Sequence, residues 1–153
     1  MKTIVAVAAA LVVAGAAIAL GGAPGSARSA VSRATAIVTV RSSAYGRVLF
    51  DARGRALYAF TRDPKGGKSR CYGACAAAWP VYYAKGSLRA GNGVRRQLLG
   101  TTVRRDGRRQ VTYAGRPLYY YVGDRSPGQI RCQNVTEFGG TWLVVRASGV
   151  LVR

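Results

Sequence analysis

Along most of this chain apolar and polar positions alternate in short blocks, with one long exception at the start. Lys2 is followed by an unbroken apolar run over residues 4–20, which gives way to small residues ending at Ala27. Beyond it the apolar runs are short, rich in Val, Tyr and Thr, and separated by Gly-containing turns, a pattern of strands rather than helices. Residues 37–40 read as a strand. Residues 47–51 and 56–61 read as the arms of a hairpin turning at Ala52-Arg53-Gly54. Residues 98–103 lead through the corner Asp106-Gly107 into residues 110–113, and Ala114-Gly115 turns these into residues 117–122. Residues 141–145 are a further strand, and 150–152 a weaker one. Only residues 74–79 carry helical propensity, with Pro80 to stop them. The elements predict a mainly β fold, α+β with one short helix, in which two small sheets pack as a sandwich-like domain.

The blocks also repeat. At an offset of 61, Gly54-Arg55 returns as Gly115-Arg116, Leu57-Tyr58 as Leu118-Tyr119, and Arg70-Cys71 as Arg131-Cys132. Phe60 returns as Tyr121, Asp63 as Asp124 and Gly67 as Gly128, while Trp79 and Trp142 follow after a two-residue insertion. Two tandem hairpin units result: residues 35–84 and 94–153, joined by a polar, Gly-rich connector over 85–93.

Charge and composition narrow the function. The 153 residues hold 24 Lys+Arg against 5 Asp+Glu, a net charge of +19, and no His. The missing His removes Ser-His-Asp and Cys-His catalysis and His-ligated metals. The short positive start, apolar run and small-residue exit describe a signal peptide over residues 1–27, with cleavage between 27 and 34. An uncleaved anchor is the alternative, but seventeen Ala-rich residues sit at the lower limit for a membrane span. Cleavage after Ala27 removes Lys2 and leaves +18; cleavage after Ala34 also removes Arg28 and Arg33 and leaves +16. No Cys precedes Cys71, so lipid anchoring through an N-terminal Cys is not expected.

Three sets of residues carry candidate chemistry. Tyr58, Phe60 and Asp63 recur as Tyr119, Tyr121 and Asp124. Five residues apart on an ideal strand, Tyr and Asp point to opposite faces. Both Asp residues open turn sequences, Asp-Pro-Lys-Gly-Gly and Asp-Arg-Ser-Pro-Gly, where an Asp bonds the local backbone. The aromatics are then expected in the core and the Asp residues in turns. The five carboxylates, on Asp51, Asp63, Asp106, Asp124 and Glu137, are scattered over turns and form no acid–base dyad.

Cys71 can pair either with Cys75 or with Cys132. A Cys71–Cys75 loop adds about 2 kcal/mol by chain entropy and Cys71–Cys132 about 4 kcal/mol. The two cysteines of Cys-x3-Cys also admit a thiol redox or copper(I) reading. The only Met is Met1 and there is no His, so the usual completing copper ligands are missing. Arg95, Arg96, Arg104, Arg105, Arg108 and Arg109 cluster around the Asp106-Gly107 corner. They make a candidate anion-binding tip for envelope polymers or phospholipid headgroups; the bland reading is a solvated tip that keeps edge strands apart. Nucleic acid is the least favoured partner of a protein that leaves the cytoplasm.

The combination of Tyr58-x-Phe60-x-x-Asp63, its copy Tyr119-x-Tyr121-x-x-Asp124, Cys71-x3-Cys75 and the later Trp79-Pro80 and Gly140-Thr-Trp142 resembles a bacterial secreted repeat family. That family is also described as predicted lipoproteins with a Tyr-x-aromatic-x-x-Asp motif. The likeness covers residues 38–147. It implies export to the cell envelope and no particular reaction. It also implies the Cys71–Cys75 pairing, because the family pattern keeps those two cysteines together, and leaves Cys132 as the odd thiol. The expected protein is a non-enzymatic exported structural or binding module with no cofactor and no metal.

Overall fold

The structure, a computed structural model, describes residues 35–153. The expected export segment over residues 1–27 lies outside the described residues. Among the described residues nine short strands form three three-stranded sheets rather than two. β1 (Ala36–Ser43) lies between β2 (Gly46–Asp51) and β4 (Leu88–Ala90). β9 (Gly140–Val144) lies between β3 (Tyr58–Phe60) and β8 (Val135–Glu137). β6 (Arg109–Tyr113) lies between β5 (Leu99–Val103) and β7 (Arg116–Pro117). The one helix among the described residues, α1 (Ala74–Ala78), stops at Trp79 before Pro80 as its sequence predicts.

Two expectations change. The hairpin of the first unit closes only at its turn, where Phe50 bridges Ala56 and Gly54 N donates to Asp51 O at 3.0 Å. Past the turn β2 stays with β1 while β3 crosses to β9. Gly54 and its copy Gly115 hold φ of +86° and +75° at these turns, a region that Gly enters without strain. The connector is also not plain loop: β4 sits inside it and runs parallel to β1, so the polar Gly-rich reading missed a short edge strand.

The two units meet along β3. Tyr58 and Tyr119 exchange backbone hydrogen bonds, each N–H donating to the other's carbonyl at 2.9 Å. Outside that pair Tyr58 faces Val144, and Tyr119 faces Val81. The four segments thus run in the order 144, 58, 119, 81, with the repeat symmetry passing through the middle. Every residue of β3 is buried, so alternate side chains feed two different cores. Leu57 and Ala59 join Leu118, Val111 and Tyr113 on one face. Tyr58 and Phe60 join Tyr119, Trp79 and Trp142 on the other.

In that second core four aromatic rings stack in a row. Trp79 lies on Trp142 with centroids 4.0 Å apart and planes 1° apart. Phe60 caps the Trp142 side at 4.2 Å, and Tyr121, the copy of Phe60, caps the Trp79 side at 4.8 Å. Tyr58 and Tyr119 meet Trp79 and Trp142 edge-on at 5.3 and 5.1 Å. Each such pair adds about 0.5–1.5 kcal/mol beyond burial. Both Trp side chains are fully buried, so truncation to Ala leaves a cavity that two units line together. Trp142→Ala is expected to cost about 3–5 kcal/mol, read as a shift of the urea midpoint.

Candidate functional site

The Tyr-x4-Asp residues come together, but across the repeat. β3 ends at Phe60, its copy Tyr121 follows the isolated bridge at Tyr119, and the chain turns back after each: Asp63 N donates to Phe60 O at 3.1 Å and Asp124 N to Tyr121 O at 3.2 Å. That turn overrides the opposite-face geometry of a continued strand. One oxygen of each carboxylate serves its own loop, as the turn chemistry predicts over a longer reach, accepting from Arg70 N at 2.7 Å or Arg131 N at 2.9 Å. The other oxygen accepts the hydroxyl of the opposite unit's tyrosine. Tyr119 donates to Asp63 at 2.6 Å, and Tyr58 donates to Asp124 at 2.7 Å. Neither tyrosine bonds the Asp of its own motif; the two pairs are exchanged.

Burial sets the protonation of this arrangement. It pushes the Tyr58 and Tyr119 hydroxyls well above the ordinary tyrosine value, and the neighbouring carboxylates push them further. Burial also raises Asp63 and Asp124 against the lowering effect of the bonds they accept. The hydroxyls therefore hold their protons and donate them to fixed acceptors. The pairs tie two units together, and they offer no free base or nucleophile.

Arg104 does not belong to the solvated tip. It sits at the base of the β5–β6 turn, is buried, and points inward. One guanidinium nitrogen donates to Ser69 Oγ at 2.7 Å and to Gln110 Oε1 at 2.8 Å, and another donates to Cys71 O at 2.7 Å. Its positive charge also lowers Asp63. The remaining five arginines are exposed, but they do not form one cluster. Arg95 and Arg96 precede β5, while Arg105, Arg108 and Arg109 stand beyond its far end, roughly 17 Å away for a five-residue strand. Arg108 forms an ion pair with Asp106 at 2.6 Å and lies over the Tyr83 ring at 4.3 Å. That contact holds the Asp106 carboxyl below its usual range.

Two groups of residues that sequence reasoning missed complete this surface. Lys68, Arg70 and Tyr72 join Arg105 around a hollow of about 460 Å³. Arg53, Arg55 and Lys85 surround a second of about 350 Å³, walled by Tyr82 and Tyr120, with Asp51 bonded to Tyr120 inside it. The basic residues of each hollow come from separate loops, so no run of charge in the sequence announces them.

The cysteines divide as the family likeness implies. Cys71 and Cys75 form a disulfide and Cys132 stays free. All three are buried, and burial pushes the Cys132 thiol up. This is the opposite of the exposed, electropositive setting of a reactive thiol.

A family model described as a secreted repeat of unknown function matches residues 39–82 and again residues 100–146, more than half of the chain. The chain belongs to that family. Each match spans one tyrosine of the exchanged pairs, and each Asp lies within the same match as the tyrosine it does not bond. No curated protein and no solved structure matches this secreted repeat protein. Among the described residues no helix is long and apolar enough to cross a membrane.

Two outcomes test the exchanged pairs. Tyr58→Phe and Tyr119→Phe each leave a buried carboxylate oxygen without its donor, at a cost of about 1–3 kcal/mol each, measurable by urea unfolding. Because Asp63 and Asp124 are raised in the fold, their contribution is full below the ordinary Asp value of about 4 and is lost as pH rises through the raised value. Unfolding midpoints between pH 4 and 8 should therefore fall with rising pH more steeply in the native protein than in D63N/D124N.

Proposed function

We propose that this exported repeat protein is a non-enzymatic binding module that holds anionic material of the cell envelope against an Arg- and Tyr-rich surface. The observation that carries the reading is the fate of its acids. Asp63 and Asp124 are tied to tyrosines, Asp51 to Tyr120, and Glu137 to the indole N–H of Trp79. Asp106 alone forms a salt bridge among the described residues. In a chain of net charge +19, nearly all the cations among the described residues thus stand outside ion pairs. Such an excess attracts polyanions and is screened by salt.

The same facts argue against an enzyme. The recurring hydroxyls and carboxylates are hydrogen-bonded to one another, and the cysteines are buried. The tyrosines stacked beneath arginines, Tyr72, Tyr83 and Tyr120, fix cations in place rather than activate them.

The mature protein should be retained on anionic cell-wall polymer or anionic lipid vesicles at low salt and released as salt rises past the physiological range. Passage through both without retention at low salt would sink this reading.

A further inference from the structure

Resting on that reading, we propose that the hollow bounded by Lys68, Arg70, Tyr72 and Arg105 is a binding site for the phosphodiester groups of a water-soluble or wall-linked polymer. Its residues come from two loops far apart in sequence. The loop over residues 64–72 supplies Lys68, Arg70 and Tyr72, and the β5–β6 turn supplies Arg105. No carboxylate lines the hollow. The nearest loop acid, Asp63, turns its carboxylate to Arg70 N and Tyr119; it feels the Arg70 charge but forms no ion pair with that guanidinium among the described residues.

The site is held in shape before any ligand arrives. Arg105 lies over the Tyr72 ring at 3.9 Å, and its backbone N–H donates to the Tyr72 hydroxyl at 3.3 Å. Arg104 packs on the same ring at 4.3 Å, anchored by its three hydrogen bonds. The ring is thus in contact with one buried cation and one exposed one. A guanidinium fixed this way loses less freedom on binding than a free surface arginine.

Geometry and charge select the ligand class. Three cations around a concave space suit a tetrahedral oxyanion, which offers oxygens in several directions; a carboxylate offers two in one plane. Arginine forks match phosphate oxygens in pairs, and lysine adds a point charge. The concave placement favours a flexible chain that can enter over a flat bilayer that meets only the rim.

The test uses the mature protein at fixed moderate salt with three probes: a soluble poly(glycerol phosphate), polyglutamate of matched charge, and phosphatidylglycerol vesicles. Poly(glycerol phosphate) should bind most tightly. K68A/R70A should weaken it by about tenfold, the scale of losing two solvent-exposed ion pairs, while R95A/R96A, with the same change of charge, should weaken it less than about threefold. R105K, which keeps charge but loses the fork, should fall between native and R105A. Equal losses in the two double variants, or equal affinity for polyglutamate, would overturn the phosphate site and leave the cationic-module reading standing. Preferential binding to vesicles would overturn the polymer assignment. Binding of no probe even at low salt would remove both.

Discussion

The exchange of hydroxyl for carboxylate between the two units is the constraint on which the rest of the structure depends. Tyr58 must reach Asp124 and Tyr119 must reach Asp63. This is possible only if the strands carrying the tyrosines lie side by side, which their reciprocal 2.9 Å backbone bonds provide. With those strands paired, Trp79 and Trp142 are brought face to face and the four-ring stack closes. Hydrogen bonds with buried, fixed partners give this core a definite register that apolar packing alone would not. The two Asp residues also pin the loops that follow them, and one of those loops carries Lys68 and Arg70.

The symmetry is strict in the tie and broken around it. Near Asp63 stand Ser69, Gln110 and the buried Arg104. Near Asp124 the position equivalent to Ser69 is Ile130, and Cys132 takes the place of Cys71 without a disulfide partner. Trp79 donates its indole N–H to Glu137, while the Trp142 indole N–H is buried and has no acceptor among the described residues. The two copies thus share one way of holding together and differ in what they present. The cationic hollow at Tyr72 combines first-unit Lys68, Arg70 and Tyr72 with second-unit Arg105, whereas the second unit carries Gln129 and Gln133 at the positions equivalent to Lys68 and Tyr72.

Much of this was legible in the sequence for identifiable reasons. Strands and turns were marked by Val- and Tyr-rich runs between Gly corners, and the offset of 61 paired Tyr58 with Tyr119 directly. The helix limit followed from Pro80, and Cys71–Cys75 from the family likeness. What stayed hidden was long-range. The divergence of β3 from β2 depends on β9, some eighty residues later. The Tyr–Asp bonds span 66 and 56 residues, so a reading confined to one motif assigns Asp63 to its own loop and stops there. Arg104 was misplaced because a basic run next to Asp-Gly reads as one exposed tip. In fact the first residue of the run lies inside the turn's base, where Ser69, Gln110 and the Cys71 carbonyl receive it.

The swapped pairs have a consequence for assembly. Each unit carries one donor and one acceptor, arranged so that two identical copies satisfy each other by a twofold rotation. This is the logic of an isologous interface. The chain is in effect such a dimer written into one polypeptide. Joining the halves turns their association from a concentration-dependent encounter into an internal event at high effective concentration. A protein released into a dilute exterior can then keep its shared core without waiting for a second molecule.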